Sequence, residues 1–283
     1  MTIAKRARRV ESEFMNELCG AQLFRQLPAE AQAQYLAISR EMTALAMDHA
    51  VPIIFAPPLS IGGKMNGACG CVLQLKSGIF VVTASHVLAG YEERTQLGEV
   101  LNWQVGDLPP FEPLPRVEWR DSERDIVLLR ISEDEARRIG PCTISSPPKW
   151  PPSLPQEGQL VLVAGYPKAL REEDPSSGWI GAGPYSAVFR VTTVGEGYCK
   201  CHIERKDLIS FNGGPLPEPG TEMGGLSGGP VLLVGTVSYP LVGVITDRCQ
   251  MTIAELEILK FATFDSVMIG ENAVLESSDL ETK

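Results

Sequence analysis

Residues 224 to 230 read Gly-Gly-Leu-Ser-Gly-Gly-Pro, and this run constrains the fold more than any other part of the chain. Glycines on both sides of Ser227 let the backbone take positive φ and approach other groups closely, while Pro230 fixes the start of a strand over Val231 to Val234. The result is a hydroxyl exposed on a tight turn. The same turn presents the N–H groups of Gly225 and Ser227 on one side, the arrangement that stabilises an oxyanion when a serine attacks a carbonyl. A Ser-Gly-Gly-Pro turn is also a common way to join two strands, so the motif by itself leaves both readings open.

Two other segments bear on the choice. Ile79 to Thr83 is a β-branched and aromatic run bounded by Gly78, which predicts a buried strand, and His86 follows it directly. Further on, Arg124-Asp-Ile-Val-Leu-Leu-Arg-Ile131 sets Asp125 at the start of another apolar strand. A serine hydroxyl is a poor nucleophile at neutral pH; it needs a base within hydrogen-bond reach, and the base needs a third group to fix its tautomer. Ser227, His86 and Asp125 supply those three roles.

In the chain order His, Asp, Ser these residues resemble the trypsin-like (chymotrypsin-fold) serine proteases. Thr83-Ala-Ser-His86 is similar to the family's Thr-Ala-Ala-His segment, Asp125-Ile-Val-Leu-Leu129 to its aspartate strand, and Gly225-Leu-Ser-Gly-Gly-Pro230 to its Gly-Asp-Ser-Gly-Gly-Pro. The resemblance covers about residues 50 to 270. It implies an all-β fold of two six-stranded antiparallel β-barrels of chymotrypsin type, here with an added N-terminal helical segment. It also implies the triad His86, Asp125 and Ser227 and an oxyanion hole of Gly225 and Ser227.

The chain departs from the family at informative places. Leu226 stands where digestive and clotting members have an aspartate that pairs with a newly released N-terminus, and leucine cannot make that ion pair. Bacterial and viral relatives are the closer comparison. Val87 replaces the half-cystine that usually follows the histidine. By resemblance, Val242 to Thr246 with Asp247 and Arg248 lines the primary pocket, Thr246 matches a hydroxyl that supports the aspartate, and Thr221 falls near the pocket base. Arg248 stands where the family often has a small residue, which implies a preference for an acidic or polar residue before the scissile bond, opposed by Asp247.

Length and composition fit a two-lobed β protein: 283 residues suffice for two cores, and 22 prolines with 27 glycines suit short strands joined by turns. The expected organisation is an N-terminal helical extension over 1–50, a first barrel over 51–140, a proline-rich connection over 141–158, a second barrel over 159–270 and an acidic, disordered tail over 271–283. A strand over Leu160 to Ala164 opens the second barrel, and Lys168 to Tyr185 reads as a surface loop. Near the N-terminus, Pro28 and Glu30 start a helix, and Tyr35, Ile38, Met42 and Leu45 form one apolar stripe. That stripe has two readings, docking on the body or binding a regulatory protein partner or a second copy.

Seven cysteines, Cys19, Cys69, Cys71, Cys142, Cys199, Cys201 and Cys249, give an odd count, and an acidic and polar run follows the basic cluster Lys5, Arg6, Arg8 and Arg9 where a secretory leader needs apolar residues. Reduced thiols and a cytoplasmic location are expected. Cys69 with Cys71, and Cys199 with Cys201, could each offer two thiolates to zinc from one strand face, but the pairs fall in different barrels, so buried core thiols are the expectation and no cofactor or metal is implied. A formal net charge of −10 argues against nucleic acid, and no apolar run of ~18 residues marks a membrane span. His49 and His202 lie outside any motif. The resulting expectation is a serine endopeptidase acting on a protein or peptide through an acyl-enzyme and regulated inside the cell. The alternative is a protease-fold module that binds peptides without hydrolysing them.

Overall fold

The computed structural model describes residues 21–58, 61–140, 143–145, 150–174, 179–204, 208, 223–235, 239–251 and 256–264. The expectations for Lys5 to Arg9, for Thr221 and for the tail over 271–283 lie outside the described residues, as do Cys19 and Cys142.

Two short-stranded sheets carry the chain. The first contains β1 (Val51–Ala56), β2 (Asn66–Leu75), β3 (Gly78–Thr83), β4 (Asn102–Val105), β5 (Val117–Asp121), β6 (Ile126–Ile131) and β7 (Thr143–Ser145), ordered β4-β1-β2-β3-β6-β5 with β7 beside β2. β2 pairs through residues 66–70 with β1 and through residues 71–75 with β3, so one long strand turns the corner of the sheet. After β8 (Leu160–Gly165) comes a two-stranded hairpin of β9 (Arg171–Asp174) and β10 (Trp179–Ala182). The second sheet is completed by β11 (Tyr185–Arg190), β12 (Thr193–Gly195), β13 (Tyr198–Glu204), β14 (Pro230–Leu233), β15 (Leu241–Met251) and β16 (Leu256–Thr263), in the order β11-β8-β14-β15-β16-β13-β12.

The pattern of burial explains why several strands read as unbroken apolar runs. In β3, Phe80 and Val82 face one core while Val81 faces another; in β6, Ile126 and Leu128 oppose Val127, Leu129 and Ile131 in the same way. The second sheet repeats this, with Leu162 and Ala164 of β8 on one side and Val161 and Val163 on the other. Each sheet therefore has a private core and contributes its other face to a shared middle core. A strand buried on both faces loses the alternation that marks a half-exposed one.

Among the described residues, four α-helices accompany the sheets: α1 (Ala21–Gln26), α2 (Ala29–Asp48), α3 (Ser85–Gln96) and α4 (Glu133–Ile139). α2 follows Pro28, as expected, and docks on the body: Met42 and Ala46 enter the shared core, and Ser186 of β11 donates to the Thr43 hydroxyl at 2.9 Å. The buried stripe is Ser39, Met42 and Ala46, rotated from the one predicted, because Tyr35 and Leu45 are only half-buried. α4 is closed by a capping box in which the Ser132 side chain accepts the Glu135 N–H and the Glu135 carboxylate accepts the Ser132 N–H.

The structure adds pairings that the sequence reading lacks. β7 lies in the stretch read as a proline-rich connection over 141–158, and it runs parallel to β2. The hairpin β9–β10 occupies part of Lys168 to Tyr185, the span read as a loop. Among the described residues, each main sheet has seven strands where six were expected.

Candidate active site

α3 begins directly after β3, and its N-cap, Ala84, has no side chain able to satisfy the N–H groups of the first turn. Asp125 supplies what is missing. Its Oδ1 accepts the His86 backbone N–H at 2.7 Å, and its main-chain carbonyl accepts the Ser85 N–H at 3.2 Å. A carboxylate is favoured here by both the free N–H groups and the helix dipole. The second carboxylate oxygen, Oδ2, lies 2.7 Å from His86 Nδ1. An ionised carboxylate can only accept, so in this contact Nδ1 is the donor. The ring is 50% exposed and the acid 22%, which leaves the imidazole accessible while its partner is shielded. Asp125 has φ 63°, a left-handed conformation that costs a non-glycine residue about 1–2 kcal/mol and is least unfavourable for Asn and Asp.

Behind this pair stands Arg120 of β5. Its Nε donates to the Ser85 hydroxyl at 2.8 Å, and its Nη1 reaches both Glu92 oxygens at 3.0 and 2.8 Å. The guanidinium thereby ties the strand leading to Asp125 to the helix carrying His86.

Ser227 belongs to a turn built on backbone hydrogen bonds. Gly224 O accepts from Lys168 N at 2.6 Å, Leu226 O from Gly229 N at 2.9 Å, and Ser227 O from Cys69 N at 2.8 Å. Gly228 N donates to Ile245 O at 2.7 Å. None of these bonds uses the N–H of Gly225 or of Ser227. Among the described residues, the N–H groups of Gly225 and Ser227 carry no hydrogen bond. Gly225 has φ +96° and Gly228 φ +86°, so both need glycine; a β-carbon at Gly228 would also collide with the Cys69 carbonyl and the Thr83 hydroxyl.

That collision shows how closely the two halves meet. Thr83 Oγ1 donates to Cys69 O at 2.6 Å, and Thr83 is three residues before His86. The Ser227 turn is therefore seated against the strand end from which His86 emerges. Among the described residues, the direct side-chain contact within the predicted trio is His86 to Asp125, and the Ser227 hydroxyl makes no hydrogen bond.

Of the predicted pocket residues, Thr246 is buried on β15 at a register irregularity, and its hydroxyl faces the Lys260 carbonyl at 3.4 Å. It is thus turned toward the neighbouring strand; the Asp125 carboxylate bonds to His86. Asp247 is exposed and in register with Lys260, while the side chain of Arg248 lies outside the described residues.

Cys69, Cys71, Cys199 and Cys201 are buried free thiols, with Cys71 in the shared core and Cys199 and Cys201 in the core of the second sheet. Among the described residues, no group of three or more His, Cys, Asp or Glu side chains could hold a metal ion. Burial pushes the Cys69 thiol up to about 12, against the opposing hydrogen bond from Tyr166 and the charge of Arg171. Cys201 is likewise raised to about 12 by burial and by Cys199.

Two antiparallel sheets packed across a common core, with an Asp–His pair on one and a glycine-framed serine turn on the other, define the chymotrypsin-fold serine-protease class. The trypsin-like peptidase domain family matches residues 69–236, and the chain belongs to it. Among solved structures, the Rv3671c protease from M. tuberculosis in its active form is 18% identical, with 83% of this chain and 82% of that chain covered and a TM-score of 0.40. The thermostable serine protease AL20 from an extremophilic microorganism is 14% identical over 78% of this chain and 93% of its own, with a TM-score of 0.44. The protease Anisep from Arthrobacter nicotinovorans is 13% identical over 77% and 90%, with a TM-score of 0.41. No curated protein sequence matches the chain.

Proposed function

We propose that this chain is a serine endopeptidase in which His86, Asp125 and Ser227 act as a catalytic triad. The observation that carries the reading is the double grip of Asp125 on His86, at 2.7 Å to the backbone N–H and 2.7 Å to Nδ1, which leaves Nε2 as the basic nitrogen. Nε2 takes the proton of Ser227 Oγ as that oxygen attacks a peptide carbonyl; Asp125 stabilises the imidazolium. The N–H groups of Gly225 and Ser227 hold the oxyanion. The tetrahedral centre collapses, His86 protonates the leaving amine, and water then attacks the acyl-serine with the same proton transfers. In unliganded sites the bond from serine to base is often long and tightens only in the complex.

A protein or peptide is the substrate class the fold implies. We place its backbone along β15, whose paired segment with β14 ends at Val244, so that from Thr246 onward one edge has no neighbouring strand among the described residues. An extended peptide adds to such an edge by main-chain hydrogen bonds. Thr221, Thr246, Asp247 and Arg248 form the pocket in this reading, with Arg248 selecting an acidic or polar residue before the scissile bond. Equal or better cleavage after lysine in a peptide library would remove that preference. The described free thiols support a reducing compartment such as the cytoplasm, where a regulatory protein partner restrains the enzyme. No described helix is long and apolar enough to cross a membrane.

Labelling of purified protein with a fluorophosphonate, read by intact mass beside Ser227→Ala and His86→Ala, tests the reading. One adduct, lost in both variants, is the expected result. No adduct on folded wild type would overturn it and leave a peptide-binding module on a protease fold.

A further inference from the structure

The Ser227 turn hangs between the two sheets. On one side Gly228 N donates to Ile245 O at 2.7 Å and Ile245 N to Gly229 O at 2.9 Å, which ties the turn to β15. On the other side Cys69 N donates to Ser227 O at 2.8 Å, which ties it to β2. A peptide whose residues before the scissile bond lie along β15 therefore carries the residues after that bond across the turn toward β2.

The pairing of β2 with β1 defines the edge that meets them. In the pair Pro52 and Cys69, proline has no N–H and its carbonyl accepts from Gly106 N at 2.9 Å, while Cys69 uses its N–H on Ser227 and its carbonyl on the Thr83 hydroxyl. The main-chain groups of Cys69 thus face away from β1. Bonded and non-bonded pairs alternate along an antiparallel ladder, so Gly67, two residues back and opposite Ile54, also turns its N–H and C=O away from β1. They lie beside the serine turn, since a β-carbon on Gly225 would stand 3.5 Å from Gly67 O.

The guanidinium of Arg171, the first residue of β9, lies over the α-carbon of Gly67. A β-carbon at Gly67 would collide with its Nη2 and stand 2.7 Å from Cζ and 3.2 Å from Nη1. The segment leading to Arg171 runs along the turn, with Tyr166 O and Lys168 N each 3.1 Å from a β-carbon built on Gly225. The half-buried Arg171 is thus one glycine away from the oxyanion donors.

We propose that Arg171 is a specificity-determining residue that selects an acidic side chain at one of the first two positions after the scissile bond. The proposal rests on the endopeptidase reading above and names a subsite on the opposite side of Ser227 from Arg248. Residues directly opposite each other in an antiparallel pair send their side chains to the same face. A substrate residue pairing with Gly67 therefore points its side chain to the face where the Arg171 guanidinium lies. The fork of five N–H donors can grip a carboxylate while keeping a bond elsewhere. Glu172, next on β9, projects to the other face of its strand and does not compete.

The test uses the full chain and peptides that share one library-derived sequence before the scissile bond and carry Glu, Gln or Lys at the first or second position after it. In wild type, kcat/KM is expected to favour Glu over Lys by about 5- to 10-fold at one of these positions, attraction and repulsion adding. Arg171→Ala brings the ratio within about twofold of unity, and Arg171→Glu inverts it. A merely structural role would lower all the peptides together and leave the ratio alone.

Equal cleavage of the Glu and Lys peptides by wild type would overturn the proposal, as would a ratio that survives Arg171→Ala. If Arg171→Ala does not fold, Arg171→Gln, which keeps length and polarity without the charge, is judged by the same two outcomes. Failure of wild type to label at Ser227 is a different result, since it sinks the endopeptidase reading and this proposal with it. Normal labelling with no acidic preference after the scissile bond removes the Arg171 role alone.

Discussion

The two halves of the site are held by different means. His86 and Asp125 are fixed by side chains, a carboxylate capping a helix on one side and the Arg120 guanidinium bracing Ser85 and Glu92 behind. The Ser227 turn is fixed by main-chain bonds along a glycine-rich run, and the Cys69 thiol adds a side-chain bond to Gly225 O. The first half should fail when a functional group changes, even if shape is kept. The second should fail when volume is added, even if no functional group is lost.

Six substitutions sharpen that contrast. Ser227→Ala or His86→Ala should lower kcat by on the order of 10⁶-fold, measured on a library-derived peptide, with the melting temperature little changed. Asp125→Asn preserves shape but disfavours the Nδ1–H tautomer, and about a 10⁴-fold loss in kcat is expected. A turnover within tenfold of wild type would take Asp125 out of the mechanism.

Gly228→Ala adds only a methyl group yet should destabilise by about 3 kcal/mol or more in urea unfolding, because backbone strain and collision with Cys69 and Thr83 combine. Gly98→Ala is the control. Gly98 has nearly the same φ, +88°, but nothing within 4 Å of the added carbon, so strain alone, about 1 kcal/mol, should appear. Equal losses at the two positions would show that volume does not decide.

Glu135→Gln should have the smallest effect. The carboxyl of Glu135 is held below its usual range: burial raises it, and this is outweighed by the Ser132 N–H and the Arg116 guanidinium. A folded value lower than the unfolded one means stability that is present above the ordinary carboxylate range near 4.3 and is lost as pH falls through the folded value. Wild type and variant should therefore differ by well under 1 kcal/mol at neutral pH and converge in acid.

Much of this was legible in the sequence, for reasons specific to each element. Ile79 to Thr83 and Ile126 to Ile131 announced strands because apolar β-branched residues crowd where both faces are covered, and the observed strands run over Gly78–Thr83 and Ile126–Ile131. The glycines around Ser227 announced a tight turn for the steric reason found in the structure. β7 and the β9–β10 hairpin were missed because three- and four-residue strands have no period to detect, and proline or charge dominates their local composition. The stripe on α2 is rotated because the small residues Ser39 and Ala46 are buried on this helix, which packs against β8 and β11, while Tyr35 is half-buried beside Phe24. Cys69 was weighed as a core thiol or metal ligand. Its contact with Gly225 spans 156 positions, and nothing near residue 69 signals it.

The docking of α2 has a consequence for how the molecule is made. The helix ends at Asp48, but the strands it packs against include β8 and β11, and the hydroxyl that meets Thr43 comes 143 residues later, at Ser186. At ribosomal speeds of about 5–20 residues per second, the stripe is synthesised many seconds before its seat exists. During that interval the growing chain carries an uncovered apolar helix ahead of an unfinished sheet, the kind of surface that chaperones bind.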